Sequence, residues 1–356
     1  MIYIILILYI IFLSVFFNSN LCRIKKEKKV IYFYNSVFFF LAIIMGLRSE
    51  SVGVDTKYYK LIFDQVANTS FFDLLHGYFY NSIEIGYVLL MKLLSCLINN
   101  YYFFQIVISF LFCYQVKKFL INNSNYPLLG VLIFVGSGMY LNGFNVTRQM
   151  IAAVLLANAW NYLIDSNLEK CFLNFIFAIS FHFTSIIFLL FCFIYKFSKK
   201  KNNIKKIIPF VFVGAINYQI LLNAISLIIT HYHNYMKNAK VTQTASGVII
   251  IWAIILIIAL YIVYIRKNSN RLNDSYAIFS IFYVLSNFIG LQYNYFERIG
   301  LYFLPFTIIL FECVSAGFKN RNLKFIYNFF VGFSFMVYFL LSALTSQQYS
   351  YLFFWQ

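Results

Sequence analysis

Few side chains in this sequence could do charge or proton chemistry, and several of them stand at the ends of long apolar runs. The clearest case is the stretch 138–149, GMYLNGFNVTRQ, which ends in Arg148 and Gln149 at the start of another apolar run. An unpaired charge in hydrocarbon is costly, so Arg148 needs water, a phosphate or a carboxylate beside it. A guanidinium group suits phosphate because it stays charged and can hold two oxygens at once. The plain alternative is an arginine at a helix end whose head reaches the membrane surface.

Other ionisable side chains occupy comparable positions. They are Arg48 and Asp55 in RSESVGVDTKYY, Glu84 in EIGY, His182 in FHFTS, and the adjacent pair Glu297 and Arg298. A carboxylate or an imidazole near a bound phosphate could move a proton during group transfer. Structural alternatives remain open, because Asp55 could cap a turn or helix and His182 could be a core histidine bonded to a carbonyl oxygen.

Metal and nucleotide chemistry have little support in the sequence. His231 and His233 stand two residues apart in a polar loop, without further ligands to complete a metal site. The six cysteines lie in or beside apolar runs and form no CxxC pair, so they are expected to be small core residues. No Walker sequence, glycine-rich nucleotide loop or DxD pair occurs. The sequence therefore predicts no metal and no cofactor.

The composition requires a membrane. Of 356 residues, 62% are hydrophobic, 22% aromatic and only 11% charged, which is more apolar surface than a soluble domain of this size can bury. The apolar runs are separated by short polar stretches and are too long for barrel strands. They predict an all-α, polytopic transmembrane helical bundle of about 10–12 membrane segments, which can include re-entrant helices.

The formal net charge of +17 does not indicate nucleic-acid binding, because most lysines sit in short loops beside apolar runs. That distribution is typical of residues that set membrane topology, with basic loops in the cytoplasm. The longest polar segment, 48–83, would then be a long external loop, and loops of such length are more often functional than idle. Without an internal repeat or a separable soluble domain, residues 1–356 are expected to form a single integral-membrane domain.

The position of Arg148 relative to that loop depends on how the segment 84–98 lies. If the segment dips into the membrane and returns, Lys117 and Lys118 fall inside and the junction at Arg148 falls outside. If it crosses, both are reversed. The positive-inside tendency favours the dip. The run 171–195 must then also turn back, with His182 at its outward tip, and the ionisable residues gather on the outer face.

Five short motifs occur in order along the chain. They are R-x-x-x-V-G-x-D-T-x-x-Y at Arg48–Tyr59, E-x-G-Y at Glu84–Tyr87, N-x-x-R-Q at Asn145–Gln149, F-H-x-x-S at Phe181–Ser185 and R-I-x-x-Y at Arg298–Tyr302. This ordered set resembles the EpsG-like branch of the Wzy polymerases, which polymerise O-antigen, capsule and exopolysaccharide repeat units.

The resemblance implies an enzyme of the bacterial cytoplasmic (inner) membrane whose active site faces outwards. It would transfer a growing glycan from undecaprenyl diphosphate to the next lipid-linked repeat unit. The implied partners are the undecaprenyl-diphosphate-linked oligosaccharide, the lipid bilayer and a chain-length regulator protein, without nucleic acid.

The resemblance also assigns roles to residues. Those implied to bind the diphosphate or sugar are Arg48, Tyr59, Arg148, Gln149 and Arg298. Asp55, Glu84 or His182 would position or deprotonate the acceptor hydroxyl group. Two other classes stay open on the residues alone: a flippase or transporter of a lipid-linked or anionic substrate, and another membrane acyl- or glycosyltransferase. The absence of two similar halves counts against a transporter.

Overall fold

We describe a computed structural model, which covers residues 1–19, 22, 24–75, 83–198, 203–218, 246–266 and 271–356. The α-helices are α1 (Ile2–Asn18), α2 (Lys26–Gly46), α3 (Thr56–Asn68), α4 (Phe71–Leu75), α5 (Ile85–Leu97), α6 (Tyr101–Asn123), α7 (Pro127–Gly136), α8 (Met139–Asn145), α9 (Thr147–Ile164), α10 (Leu168–Phe181), α11 (Phe188–Ser198), α12 (Asn203–Ile216), α13 (Ser246–Leu260), α14 (Arg271–Gly290), α15 (Asn294–Gly300), α16 (Leu304–Gly317) and α17 (Arg321–Thr345). Short 3₁₀ turns span Phe183–Ile187 and Gln347–Tyr349, and a π-helical turn, Tyr261–Ile265, follows α13. The described residues contain no β-strand, only a single antiparallel bridge between Arg48 and Phe353. The predicted all-α class is confirmed.

The protein crosses the membrane several times, as predicted. Four described helical stretches are long and apolar enough to span a bilayer: Lys28–Gly46, Tyr101–Asn123, Val248–Ile265 and Arg321–Thr345. The pair α7 and α8 would make a fifth, bent by 44° at a short break. The total of 10–12 segments stays a prediction.

The chain divides into two compact units. The first holds Met1–Ile186 and Arg321–Gln356, and the second holds Ile187–Asn320. Within the second unit, the rings of Phe191, Phe279, Phe303 and Phe306 pack against one another and form the centre of its core. The single membrane domain expected from the sequence stays a prediction. All the geometry that follows belongs to the first unit unless stated otherwise.

Helix α9 forms the centre of the first unit. Fifteen of its 18 residues are buried. Four of them are alanines (152, 153, 157 and 159), and such small side chains let neighbouring helices approach closely. Helices α6 and α10 pack along it. Residues at the start of α9, including Arg148, are therefore held by a rigid, buried element.

Basic residues gather at one end of the helices of the first unit. Helices α2 and α6 are antiparallel, because Gln105 Nε2 donates to the carbonyl of Gly46 at 2.9 Å while Lys117 Nζ donates to Asn35 Oδ1 at 2.9 Å. Lys29 and Lys324 stand in the first turns of α2 and α17, and Lys29 and Tyr126, on whose ring Lys324 lies, line the same cavity. We call this the lysine end.

At the opposite end, the chain after α2 meets the chain after α17. Ser49 N–H donates to the carbonyl of Leu352 at 2.8 Å, and Phe354 N–H donates to that of Leu47 at 3.0 Å. These bonds hold the loop that follows α2 against the C-terminal residues.

Helix α5 does not run from one end to the other. It has 13 residues, or about 20 Å at 1.5 Å per residue, which is short for a bilayer of roughly 30 Å. The ring of Tyr87 in its first turn contacts that of Phe104 in the first turn of α6, with centroids 5.4 Å apart. Since only residues 98–100 join the two helices, both flanks of α5 lie at the end away from the lysines. The dip hypothesis expects this arrangement, and the path of the segment through the membrane stays a prediction.

The run 171–195 is broken at the histidine, where the dip hypothesis requires a turn. Helix α10 ends at Phe181, and His182 is extended, with φ −158° and ψ 116°. The 3₁₀ turn that follows is closed by Ser185, whose N–H donates to the His182 carbonyl at 3.0 Å and whose hydroxyl donates to that of Ala178 at 3.1 Å. His182 therefore lies at a helix end and not within a continuous span.

Candidate active site

The motif around Asp55 folds into a tight turn that fixes α3. Gly53 has φ +96°, a conformation that side chains other than glycine rarely adopt, and a Cβ there would lie 2.6 Å from the carbonyl oxygen of Phe144. The Thr56 hydroxyl donates to the Val52 carbonyl at 2.8 Å and lies 3.2 Å from the Phe144 oxygen. The glycine and threonine of V-G-x-D-T thus anchor the loop to the chain just before Arg148.

Asn145 joins three parts of the chain at this point. Its Oδ1 accepts from Val54 N–H at 2.7 Å, and its Nδ2 donates to the Tyr349 hydroxyl at 2.9 Å. Helix α9 then begins at Thr147, whose hydroxyl donates to the Gly143 carbonyl at 2.6 Å. The asparagine of N-x-x-R-Q is therefore structural, and it places Arg148 in the first turn of α9.

Glu84 contacts two of the other ionisable residues predicted to act in the site, Arg148 and His182. It precedes α5, and its Oε2 forms an ion pair with Nη1 of Arg148. Its Oε1 lies 2.8 Å from His182 Nδ1 and accepts a hydrogen bond from Phe183 N–H at 3.0 Å. Three helix ends, those of α5, α9 and α10, thus contribute one ionisable side chain each.

Two tyrosines complete the arrangement. The guanidinium carbon of Arg148 lies 5.6 Å from the ring centroid of Tyr59 and 5.9 Å from that of Tyr87, within range of a cation–π interaction. The two rings also contact each other, with centroids 5.6 Å apart. Tyr59 was predicted to bind substrate and Tyr87 was not, although Tyr87 closes the E-x-G-Y motif.

We call these five residues the Glu84 cluster: Tyr59, Glu84, Tyr87, Arg148 and His182. The ionisable side chains are only partly buried, with 21% of Glu84, 14% of Arg148 and 20% of His182 exposed. A small molecule could therefore reach them from outside the protein, while the two tyrosine rings are buried beneath.

The glycine of E-x-G-Y allows this approach. A Cβ at Gly86 would lie 2.4 Å from Ser180 Oγ and 2.7 Å from the Ser180 carbonyl oxygen. Any larger residue would push the start of α5 away from the end of α10. Gly86 thus lets Glu84 reach His182.

Arg48 lies apart from the Glu84 cluster. It is 2% exposed, with Nη1 bonded to the Met45 carbonyl, Nη2 3.3 Å from the Phe144 carbonyl and its guanidinium 5.0 Å from the Phe144 ring. A cation placed on the last carbonyls of α2 is a favourable helix cap. Among the described residues, no carboxylate pairs with it. This geometry gives Arg48 a structural role, and its predicted contact with substrate stays a prediction.

Asp55, Gln149 and Arg298, the other residues predicted to act in the site, stand at three separate helices. Asp55 is the residue before α3, and its side chain does not cap that helix. Gln149 is buried and follows Arg148 on α9, so it points about 100° away around the helix. Arg298 stands on α15 of the second unit. His231 and His233 lie outside the described residues.

The electrostatics of the Glu84 cluster divide its roles. Burial alone would raise the pKa of the Glu84 carboxyl, but the hydrogen bond from His182 and the charge of Arg148 outweigh it, so the pKa is lowered to about 2. Glu84 is then an anion at neutral pH and a poor proton acceptor. His182 presents Nδ1 to Glu84, and its Nε2 makes no hydrogen bond to any described residue. Nε2 is therefore the better-placed proton acceptor.

In the part of the chain that the structure describes, no three histidine, cysteine or acidic side chains are grouped to hold a metal ion. A guanidinium group beside a carboxylate and an imidazole has the chemical means to stabilise an anion and to transfer a proton.

The comparisons with known proteins agree with the motif pattern. A family model described as the EpsG family matches residues 31–354 of the 356-residue chain. The match includes all five motifs and every predicted site residue. No curated protein and no solved structure matches the chain.

Proposed function

The chain belongs to the EpsG family of polysaccharide-polymerase-like membrane proteins, and on this basis we propose that it is a bacterial polysaccharide polymerase. In this proposal it transfers a growing glycan from undecaprenyl diphosphate to a lipid-linked repeat unit. The observation that carries the proposal is the convergence of Arg148, Glu84 and His182 from three helix ends in a partly exposed position.

In the proposed reaction, His182 acts on the acceptor. In this proposal the proton sits on Nδ1, which lies 2.8 Å from Glu84 Oε1, and the lone pair is on Nε2, as in other carboxylate–histidine pairs. Nε2 accepts the proton of the acceptor hydroxyl while the hydroxyl oxygen attacks the anomeric carbon of the growing chain. The bond between that carbon and the diphosphate breaks, and the proton is later released with the lipid diphosphate.

Arg148 acts on the leaving group. Its Nη1 is paired with Glu84, but a guanidinium has five N–H donors in a planar fork, so others can face a diphosphate. Negative charge grows on the diphosphate as the glycosidic bond breaks, and a fixed cation at that point lowers the barrier. Tyr59 and Tyr87 hold the guanidinium plane from the buried side.

Two observations support a site on the outer face of the cytoplasmic membrane. The Glu84 cluster lies at the end of the first unit away from Lys29 and Lys324. Basic residues collect on the cytoplasmic side of membrane proteins. The loop that carries Asp55 and the start of α3 with Tyr59 also lie at the end of the first unit away from the lysines. A substrate exported on a lipid carrier would arrive at this end.

The test is polymer formation by the purified protein in proteoliposomes that contain the lipid-linked repeat unit of its own organism. The wild-type protein is expected to release lipid diphosphate and to form a ladder of glycans. The polymerisation rate of the Arg148→Ala variant should be lower than that of the wild type by at least about 100-fold, which is the usual effect of removing one hydrogen-bond donor to a transition state. The Arg148→Lys variant should also polymerise slowly, because lysine lacks the planar fork of N–H donors that arginine offers to a diphosphate. Movement of the substrate across the bilayer without polymer would instead identify a flippase.

A further inference from the structure

A second site opens at the lysine end of the first unit, where α1, α2, α7 and α17 meet. It is a cavity of about 490 Å³, within the range of roughly 300–1,000 Å³ for small-molecule sites. Most of its wall is apolar and includes Phe33, Leu132, Phe329, Phe333 and Met336. The Glu84 cluster lies beyond the other end of α2, which has 21 residues and is about 32 Å long. The cavity is thus separate from the proposed active site.

One end of the cavity is cationic. Lys29 lines this end, and its ammonium donates one hydrogen bond to the carbonyl of Ser19 at 3.2 Å. An ammonium has three N–H donors, so the others can face a ligand. Lys324 lies with its ammonium 5.5 Å from the ring centroid of Tyr126, another lining residue. Among the described residues that line the cavity, none is acidic. The cavity therefore favours an anion at this end.

Backbone N–H groups at the start of α7 also favour an anion at this end of the cavity. Helix α7 has ten residues and begins at Pro127, in the cavity wall, with Asn125 and Leu128 on either side. The first N–H groups of a helix have no partner within it and attract negative charge. The start of α7 and the two lysines thus act on the same part of the cavity.

A buried polar atom points to a hydroxylated ligand. Asn328 lines the cavity one turn before Gly332, and its side-chain oxygen is buried without a hydrogen-bond partner among the described residues. Such an atom is costly unless a donor reaches it. A lipid headgroup that carries a hydroxyl can supply this donor, and an alkyl chain cannot.

We propose that this cavity binds an anionic glycerophospholipid of the phosphatidylglycerol type. Its phosphate contacts Lys29 and the start of α7, and one acyl chain occupies the apolar part between α2, α7 and α17. In the proposed orientation the lysine end lies at the cytoplasmic surface, where basic residues attract anionic lipids. The lipid fills a gap between four helices and stabilises the first unit.

The experiment uses the full-length protein, stripped of lipid in detergent and titrated with phosphatidylglycerol. Native mass spectrometry counts bound lipid, and thermal unfolding gives the stabilisation. The wild-type protein is expected to bind one lipid tightly and to unfold several degrees higher. The double substitution Lys29→Gln, Lys324→Gln should weaken binding by about tenfold or more. Lys28→Gln, an exposed lysine outside the cavity lining, is the matched control and should bind as the wild type does.

A second pair of variants tests the apolar part. Met336→Trp fills the cavity and should abolish the tight site while the protein still folds, whereas Phe330→Trp, at an exposed position of the same helix, should leave it intact. The proposal is overturned if all variants bind phosphatidylglycerol equally, since the lipid is then only annular. It is also overturned if phosphatidylcholine binds as tightly, or if the site takes a polyprenyl phosphate and rejects phosphatidylglycerol.

Discussion

At the scale of single residues, Glu84 has two partners and therefore two tasks. Its carboxylate orients His182 through Oε1 and holds Arg148 through Oε2. In the proposed reaction the imidazole takes the proton, because the pKa of Glu84 is lowered to about 2 and its carboxylate is a poor proton acceptor. The sequence had left Asp55, Glu84 and His182 as equal candidates for this step.

The substitution His182→Asn separates orientation from proton transfer. The asparagine amide can replace the Nδ1 donor to Glu84 but offers no equivalent of Nε2. We expect a folded protein with wild-type lipid-linked substrate binding and a polymerisation rate lower by about 100-fold to 10,000-fold. Single-turnover assays and a binding titration measure the two effects. Normal turnover in this variant would rule out the imidazole as the base.

Glu84→Gln tests the charge of the carboxylate through stability. Because the pKa of Glu84 in the folded protein, about 2, lies below the ordinary value of about 4.3, its charge stabilises the fold above about pH 4.3. This contribution is lost as the pH falls from about 4.3 to about 2. The variant should be less stable than the wild type by about 2 kcal/mol at pH 7, and the difference should shrink over that acidic range. Thermal unfolding in detergent measures it, and a difference that is independent of pH would contradict the ion pair.

At the scale of elements, the site depends on how closely helix ends approach. Helix α5 has only 13 residues and places Glu84 against the ends of α9 and α10. The break at His182 exposes the imidazole at the end of α10. Neither helix needs to span the bilayer, because each is supported by a neighbour: α5 by α3 and α6, and α10 by α9.

Gly86→Ala should damage the site without touching a charged residue. The new methyl group would meet both the side chain and the carbonyl oxygen of Ser180, so the start of α5 must shift. Overpacking of this kind costs roughly 1–3 kcal/mol, and the loss of the contact between Glu84 and His182 should reduce polymerisation. Gly214→Ala is the control, because nothing lies within 4 Å of a Cβ there. Equal behaviour of the two variants in unfolding and activity assays would contradict the close approach.

The sequence predicted four of the five residues of the Glu84 cluster but not how the side chains pack, and their chemical roles stay predictions. Arg148, Glu84 and His182 could be chosen because charged residues beside apolar runs are rare and each fell in a motif. The same criterion selected Arg48, but a sequence does not show that a guanidinium turns back onto the carbonyls of its own helix. Tyr87 was overlooked because aromatic residues are abundant here, and only the structure shows which ring faces Arg148.

At the scale of the whole molecule, the helices of the first unit hold two chemically different groups of residues at opposite ends. One end carries Lys29, Lys324 and an apolar cavity, and the other carries the Glu84 cluster and the loop that contains Val54. The predicted all-α membrane fold followed from composition alone, whereas this separation required the helix directions. The central claim is that the Glu84 cluster faces outwards.

Cysteine labelling in intact cells tests that claim most directly, in a chain whose six native cysteines are replaced. Val54 is 67% exposed and its neighbour Asn145 holds only its backbone, so Val54→Cys should fold normally. Lys28→Cys marks the lysine end. We predict that a membrane-impermeant maleimide labels Val54→Cys from outside and labels Lys28→Cys only after permeabilisation. Labelling of Lys28→Cys in intact cells, with Val54→Cys reached only after permeabilisation, would put the Glu84 cluster in the cytoplasm and contradict an outward-facing polymerase.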